Sequence, residues 1–286
     1  MRFGLMSTAS SWADACRDAD LAGRFAFDSL CTGDHLRHPP GDVFPTLDGW
    51  SVLAGWAATT DRLRLGMMVS NIIYRHPVVV ARQAVAVDEI SGGRLDLGVG
   101  AGAYEADHAM AGTPAWSRAE RVARLAEFVE ALDLVLRGAE AYEGCYYRFS
   151  DAVVLPGPRQ QPRPPVVVAA VSPRALRVAA RCADVWSTFG GFGLDGHEVL
   201  ARAAVQAATL EDHCAEAGRD PATLRRSLLA LPQLAPWRSV GDFQRLLDGA
   251  LRIGFDELVV FSPRQHELAV FEDVCTDVIP THQGGR

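Results

Sequence analysis

The chain has 286 residues, 49% of them hydrophobic and 22% charged, the balance of a globular protein with a sizeable core. A formal net charge of −7 argues against a surface for nucleic acid or anionic membrane, and no apolar run approaches the roughly 20 residues that span a bilayer. Six cysteines, at 16, 31, 145, 182, 214 and 275, include no CxxC pair, which excludes a disulfide framework and fits reduced thiols. The first twenty residues read as neither a signal nor a transit peptide. The expectation is a cytoplasmic protein whose partner is a small-molecule substrate, with a homodimer left open.

Short apolar runs alternate with longer helical patterns eight times along the chain. The predicted strands are Arg2–Met6, Ser29–Thr32, Leu63–Val69, Leu95–Val99, Val166–Ala170, Val185–Thr188, Leu228–Leu231 and Leu258–Phe261. They are leucine-rich or β-branched and lack clean alternation, as parallel strands buried on both faces do. Helical patterns fill Pro77–Ile90, Arg118–Arg137, Pro173–Cys182, His197–Ala217, Val240–Ile253 and Gln265–Val278. The first begins on a proline and stops at Ser91-Gly92-Gly93, and Arg118–Arg137 places Val122, Leu125, Val129, Leu132 and Leu136 on one face. Eight strand–helix units predict an α/β protein of the (β/α)8, or TIM-barrel, class as one domain over residues 1–286. Residues 140–165 break the rhythm with Tyr-Tyr-Arg-Phe and the run PGPRQQPRPP, read as a surface hairpin and stiff connector before the fifth strand.

In such a barrel the strand C-termini and the following loops build the active site. The second strand is followed by Gly33-Asp34-His35-Leu36-Arg37-His38 and the third by Ser70-Asn71. The fourth leads into Gly98-Val99-Gly100-Ala101-Gly102 with Tyr104, Glu105, Asp107 and His108 beyond it. His35 can bond a cofactor or relay a proton near neutral pH, with Asp34 beside it to orient the ring; a histidine serving its own loop reads equally well. His38 reads as an exposed loop residue. Cys31, His35 and His38 match no common zinc spacing and lack a fourth ligand, so no metal is expected.

The glycines at 98, 100 and 102 lack the acidic residue about 20 positions on that a dinucleotide fingerprint needs. They fit the close approach of something flat, or plain tight turns. Ser172-Pro173-Arg174 opens a helix after the fifth strand, where Ser172 can cap and backbone N–H groups can face a phosphate.

Together these segments resemble the luciferase-like monooxygenase family of flavin- and deazaflavin-dependent barrels. The strongest stretch is Arg64–Gly112, with Tyr74-Arg75-His76-Pro77, Asp88-x-x-Ser91-Gly92-Gly93-Arg94 and the glycine run in the family's order. Gly33-Asp34-His35-Leu36, Ala183-Asp184-Val185-Trp186 and His213-Cys214-x-x-Ala217-Gly218-Arg219-Asp220-Pro221 look like further landmarks, so the resemblance covers nearly the whole chain. It implies that Asp34 and His35 face the cofactor ring and substrate. It implies also that Met67, Met68, Ser70 and Asn71 lie on a bulged strand end against the ring, often with a non-proline cis peptide. Gly100 and Gly102 would flank the ring, and Ala170, Val171 and Ser172 would hold the phosphate through backbone N–H groups.

The chain departs from the pattern where some deazaflavin dehydrogenases place glutamate, having Ala103; Glu105 is the substitute candidate for acid–base work. It departs again at the phosphate loop, where Val171-Ser172 replaces a glycine-rich run and resembles FMN-dependent members. The resemblance implies an oxidoreductase exchanging hydride between coenzyme F420 and a small organic substrate. The alternatives are an FMNH2- and O2-dependent monooxygenase and a non-catalytic flavin-binding barrel. A metal-dependent hydrolase would need His-x-His on the first strand, and Phe3-Gly4-Leu5-Met6 has none.

Overall fold

A computed structural model describes residues 1–36 and 45–283. In chain order the elements are β1 (Arg2–Ser7), α1 (Trp12–Arg24), β2 (Ser29–Thr32), α2 (Gly49–Thr59), β3 (Arg64–Met67), its short continuation β4 (Ser70–Asn71), α3 (Pro77–Ser91) and β5 (Leu95–Gly100). Then come α4 (Glu105–Met110), α5 (Arg118–Leu136), β6 (Tyr142–Glu143), β7 (Arg148–Phe149), β8 (Val166–Ala169), α6 (Pro173–Cys182), β9 (Val185–Thr188) and α7 (Gly196–Glu216). The chain ends with β10 (Arg225–Ala230), α8 (Val240–Ile253), β11 (Glu257–Phe261), α9 (Leu268–Asp273) and α10 (Ile279–His282). Strands β1, β2, β3, β5, β8, β9, β10 and β11 pair in parallel in that order, and β11 returns to β1. The result is a closed (β/α)8 barrel, as the apolar runs predict.

The boundaries follow cap chemistry. Ser172 caps α6 by accepting from Ala175 N–H at 3.3 Å, and Pro173 fills the first helical position. Gly92 ends α3 at φ +73°, a conformation that a side chain strains. Three predicted elements differ from the sequence reading by more than a residue, and helices α1, α2 and α4 are not among those it predicts. The third strand stops at Met67 rather than Val69: its register with β2 ends there, and pairing resumes only at β4, against β5. The seventh strand begins at Arg225, since the polar side chains there are satisfied from outside: Arg226 donates to Glu211 of α7 at 2.7 Å. The stretch Gln265–Val278 breaks into a 3-10 turn, α9 and a π turn before α10. Helix α2 gave no periodic signal because Trp50, Val52, Leu53, Trp56 and Ala57 are all buried and no charged residue marks an outer face.

The core lies between barrel and helices, with Trp56, Trp186, Phe27, Phe128 and Phe243 fully buried. Side chains crowd along neighbouring strands: a Cβ on Gly66 would stand 2.6 Å from Sγ of Cys31, its register partner on β2. The N-terminal mouth is plugged by charge. Arg64 forks onto Asp96 at 2.7 and 2.8 Å, and Arg2 lies 3.8 Å from Glu257, whose carboxyl is pushed up by burial. The C-terminal mouth is therefore where loops can hold a ligand.

Residues 140–165 form a peripheral excursion, as expected. Tyr142 and Glu143 pair antiparallel with Phe149 and Arg148. The α5 residue Glu127 accepts from the N–H groups of Cys145, Tyr146 and Tyr147 at 2.7–3.1 Å. The connector is anchored as well as stiff, because Gln160 bonds Asp88 of α3 through both backbone N–H and side chain.

Candidate active site at the C-terminal mouth

Asp34 and His35 follow β2 at the C-terminal mouth but do not serve each other. The buried Asp34 carboxylate takes a fork from Arg75 at 2.8 and 2.9 Å, with further bonds from Ser70 Oγ at 3.2 Å and Asn71 N–H at 3.1 Å. Tyr74 O–H donates to the Asp34 carbonyl. Its phenol is pushed far up by burial, and the carboxylates of Asp34 and Asp107 add to the shift. Asp34 thus pins the β2 loop to the loop before α3, and the expectation that it orients His35 is corrected. The imidazole is held instead by Asp107, whose Oδ2 lies 3.2 Å from Nδ1.

Asp107 is fully buried on α4, where it also accepts from Asn71 Nδ2 at 2.9 Å and from Leu36 N–H at 3.1 Å. Its carboxylate therefore draws together the loops after β2, β4 and β5. The His35 side chain is 34% exposed and its ring stands 5.1 Å from that of Tyr104. A partly exposed imidazole with one nitrogen fixed by a buried carboxylate presents the other to a ligand in a defined tautomer. Glu105, two residues before Asp107, is exposed. Residues two apart on a helix point about 200° from each other, so only one of the pair can face the mouth. That one is Asp107, and nothing in the spacing alone identifies it.

Of the strand-end residues assigned to the cofactor, Met67 is buried in the main core, where its side chain is committed. Ser70 Oγ is spent between Asp34 and the Trp50 indole N–H, and the Asn71 side chain between Asp107 and Ile73 N–H. These two residues build the network that carries the site. Met68 reaches across the barrel to lie 3.5 Å from Ser187 Oγ on β9 and floors the mouth. The non-proline cis peptide that the resemblance implies is present between Met68 and Val69.

The glycine run has a different use from the one expected. A Cβ on Gly98 would overlap the Met67 carbonyl oxygen, one on Gly100 the Val69 side chain, and one on Gly102 the Ile73 side chain. The room these glycines leave is filled by the bulged strand beside them, not by a ring. At the loop after β8, Ala170 N–H donates to Ser187 O at 3.0 Å and belongs to the barrel. Val171 and Ser172 are left as the positions where backbone donors at the start of α6 can meet an anion. Buried Gln206 of α7 holds this loop to the next, donating to Val171 O at 2.9 Å and Gly190 O at 2.8 Å. His38 and Arg37 lie outside the described residues.

The donor set at this mouth suits a flavin or deazaflavin nucleotide: an imidazole–carboxylate pair, the N-terminus of α6 and a cluster of aromatic rings. Tyr104 and Phe189 flank Phe192 at ring distances of 5.8 and 4.7 Å.

Comparison with known proteins agrees with that chemistry. The chain is 32% identical over 220 residues to an F420-dependent glucose-6-phosphate dehydrogenase of Beutenbergia cavernae, covering 74% of this chain and 64% of the relative. It is also 32% identical over 173 residues to the oxygenase component of a flavin-dependent trigonelline monooxygenase of Acinetobacter baylyi, covering 59% and 45%. Less than two thirds of either relative's length is therefore matched. An F420-dependent secondary alcohol dehydrogenase bound to an F420–acetone adduct shares the fold, with a TM-score of 0.82 at 16% identity over 99% of both chains. A monooxygenase from Streptomyces bottropensis does so with a TM-score of 0.79 at 21% identity over 98% of this chain and 99% of that one. The family model described as luciferase-like monooxygenase matches residues 1–265, and the chain belongs to that family.

Proposed function

We propose that the protein is an oxidoreductase that exchanges hydride between coenzyme F420 and a small organic substrate. The observation that carries this reading is the buried Asp107 holding Nδ1 of a partly exposed His35 at the mouth. Such a pair is suited to move a proton to or from a substrate oxygen as hydride leaves or arrives at carbon. F420, when bound, supplies the hydride acceptor. This chain's residues do the rest. Val171 and Ser172 would hold the phosphate through backbone donors, Met68 would contact the ring, and Asp107 keeps the imidazole in one tautomer, leaving Nε2 for substrate. Relatives named as F420-dependent dehydrogenases support the choice of cofactor.

The second reading is an FMNH2-dependent monooxygenase using O2. It is supported by the monooxygenases among the relatives and by Ser172 at the phosphate loop, where its side chain caps the helix. Titration of the purified protein with F420 and FMN side by side decides between them. Tighter binding of F420, with reduction of F420 by an alcohol or sugar substrate, is expected. Tighter binding of FMN with reduced-flavin-dependent O2 uptake would move the protein to the second reading. Binding of either cofactor with no turnover over a broad substrate panel would indicate a non-catalytic barrel.

A further inference from the structure

Strands β10, β11 and β1 stand side by side in the barrel, and their side chains alternate between two environments. Leu5, Leu228, Leu258 and Val260 turn outward into the core beneath the helices. The residues between them turn inward, and their character changes with height. At the N-terminal end stand Arg2 and Glu257; at the C-terminal end stand Met6, Leu229 and Phe261. The last three pack with Met68 in a cluster separate from the main core, and Leu229 and Phe261 keep part of their surface open. The backbone at this level is already paired: Met6 O accepts from Ser262 N–H at 2.9 Å and Phe261 O from Trp237 Nε1 at 2.8 Å. His35 adjoins the same surface. A Cβ on Gly33 would lie 3.6 Å from His35 Cδ2 and 3.6 Å from Met6 Cε. Cδ2 is bonded to Nε2, so that edge of the imidazole and the Met6 methyl border one point, while Nδ1 is turned to Asp107.

We infer that this surface seats the hydrocarbon body of an uncharged alcohol or ketone, and that Met6, Leu229 and Phe261 set the specificity for it. The inference rests on the F420 reading. With the phosphate at Val171–Ser172 after β8 and the ring at Met68 after β3, the cofactor covers the β3–β5–β8 side of the mouth. The side left for substrate runs over β10, β11, β1 and β2, from the apolar surface to His35. An alcohol lying there presents its oxygen to Nε2 and its chain to Leu229 and Phe261. As the carbinol C–H bond breaks, hydride passes to oxidised F420; the O–H proton passes to Nε2, and the C=O bond forms. Each methylene laid on such a surface strengthens binding about two- to fourfold. At these three positions a sugar hydroxyl or a phosphate meets only carbon and sulfur. Each hydroxyl buried unpaired weakens binding by roughly tenfold, so sugars and their phosphates are selected against.

The test uses the homologous 2-alkanols from 2-propanol to 2-octanol with the F420-loaded protein. Turnover is followed as reduction of F420. Binding is measured separately, by titrating the matching ketones into protein loaded with oxidised F420, where no hydride can move. In wild type, kcat/KM and ketone affinity should each rise about two- to fourfold per added methylene until the surface is covered. Leu229→Gln should lower the ratio of kcat/KM for 2-octanol over 2-propanol roughly tenfold, and Leu229→Ile should retain it. Cofactor titration and melting temperature of both variants separate this effect from a lost cofactor or a lost fold. A flat series in wild type, an unchanged ratio in Leu229→Gln, or faster turnover of glucose 6-phosphate than of any 2-alkanol overturns the inference and leaves the F420 reading in place. If FMN binds and F420 does not, the cofactor reading fails and the inference falls with it.

Discussion

At the scale of single residues, neighbouring carboxylates have divided the work. Asp34 is a buried anion matched by Arg75, and removing one partner of such a pair leaves an uncompensated charge. Arg75→Met should therefore lower stability by about 3 kcal/mol in urea denaturation. A loss under about 1 kcal/mol would show that the bonds from Ser70 and Asn71 suffice for Asp34. His35 carries the chemistry in the proposed function. His35→Ala should reduce turnover on the order of 10²–10⁴-fold, while stability falls by only about 1 kcal/mol because Asp107 keeps its bonds from Asn71 and Leu36. Asp107→Asn should slow turnover and leave cofactor affinity nearly unchanged. Glu105→Gln, at an exposed position, should stay within about threefold of wild type. Abolished hydride transfer in Glu105→Gln, with His35→Ala active, would assign the proton to the wrong residue here.

Elements explain why so much of the family's signature is structural. The Arg94 guanidinium of Ser-Gly-Gly-Arg donates to the carbonyls of Ala57 and Leu63, tying the end of α2 to the start of β5. Asp184 of Ala-Asp-Val-Trp accepts from Val166 N–H at 2.7 Å and locks β8 to β9. The glycines of β5 admit the bulged end of β3. Gly98→Ala should cost about 3 kcal/mol, since the Met67 carbonyl is backbone and can yield only by moving the strand that ends there. Gly112→Ala is the control: φ is +67° with open space around it, so only the left-handed strain of about 1 kcal/mol applies. Thermal melts of the two variants in parallel read the difference, and equal losses would mean that the packing against β3 is soft.

On the scale of the whole molecule, burial grades the six cysteines. Cys145 is exposed on the hairpin, whereas Cys31, Cys214 and Cys275 are buried. Burial pushes the Cys275 thiol up to about 12 and raises those of Cys31 and Cys214. At pH 8 a thiol so raised stays protonated and does not attack an alkylating agent. Mass-spectrometric mapping should find Cys145 labelled first in the native protein and these three only on unfolding. Labelling of Cys275 at the rate of Cys145 would show that the C-terminal helices open readily.

The sequence by itself determined the barrel. Buried parallel strands must be short apolar runs, helix ends must be capped, and both signals are local, so eight strands and the peripheral hairpin were legible, the third and seventh strands with shifted ends. It also put His35 in the loop after the second strand, at the C-terminal mouth, and the family resemblance pointed to the strand end where the backbone is irregular. Only the tertiary structure decided what each group touches. Asp107 reaches His35 across 72 residues of chain, Arg75 reaches Asp34 across 41, and the glycines of β5 answer to β3. Such pairings exist only once barrel closure brings β2, β3 and β5 side by side, and no periodicity within one segment encodes its neighbour in the ring.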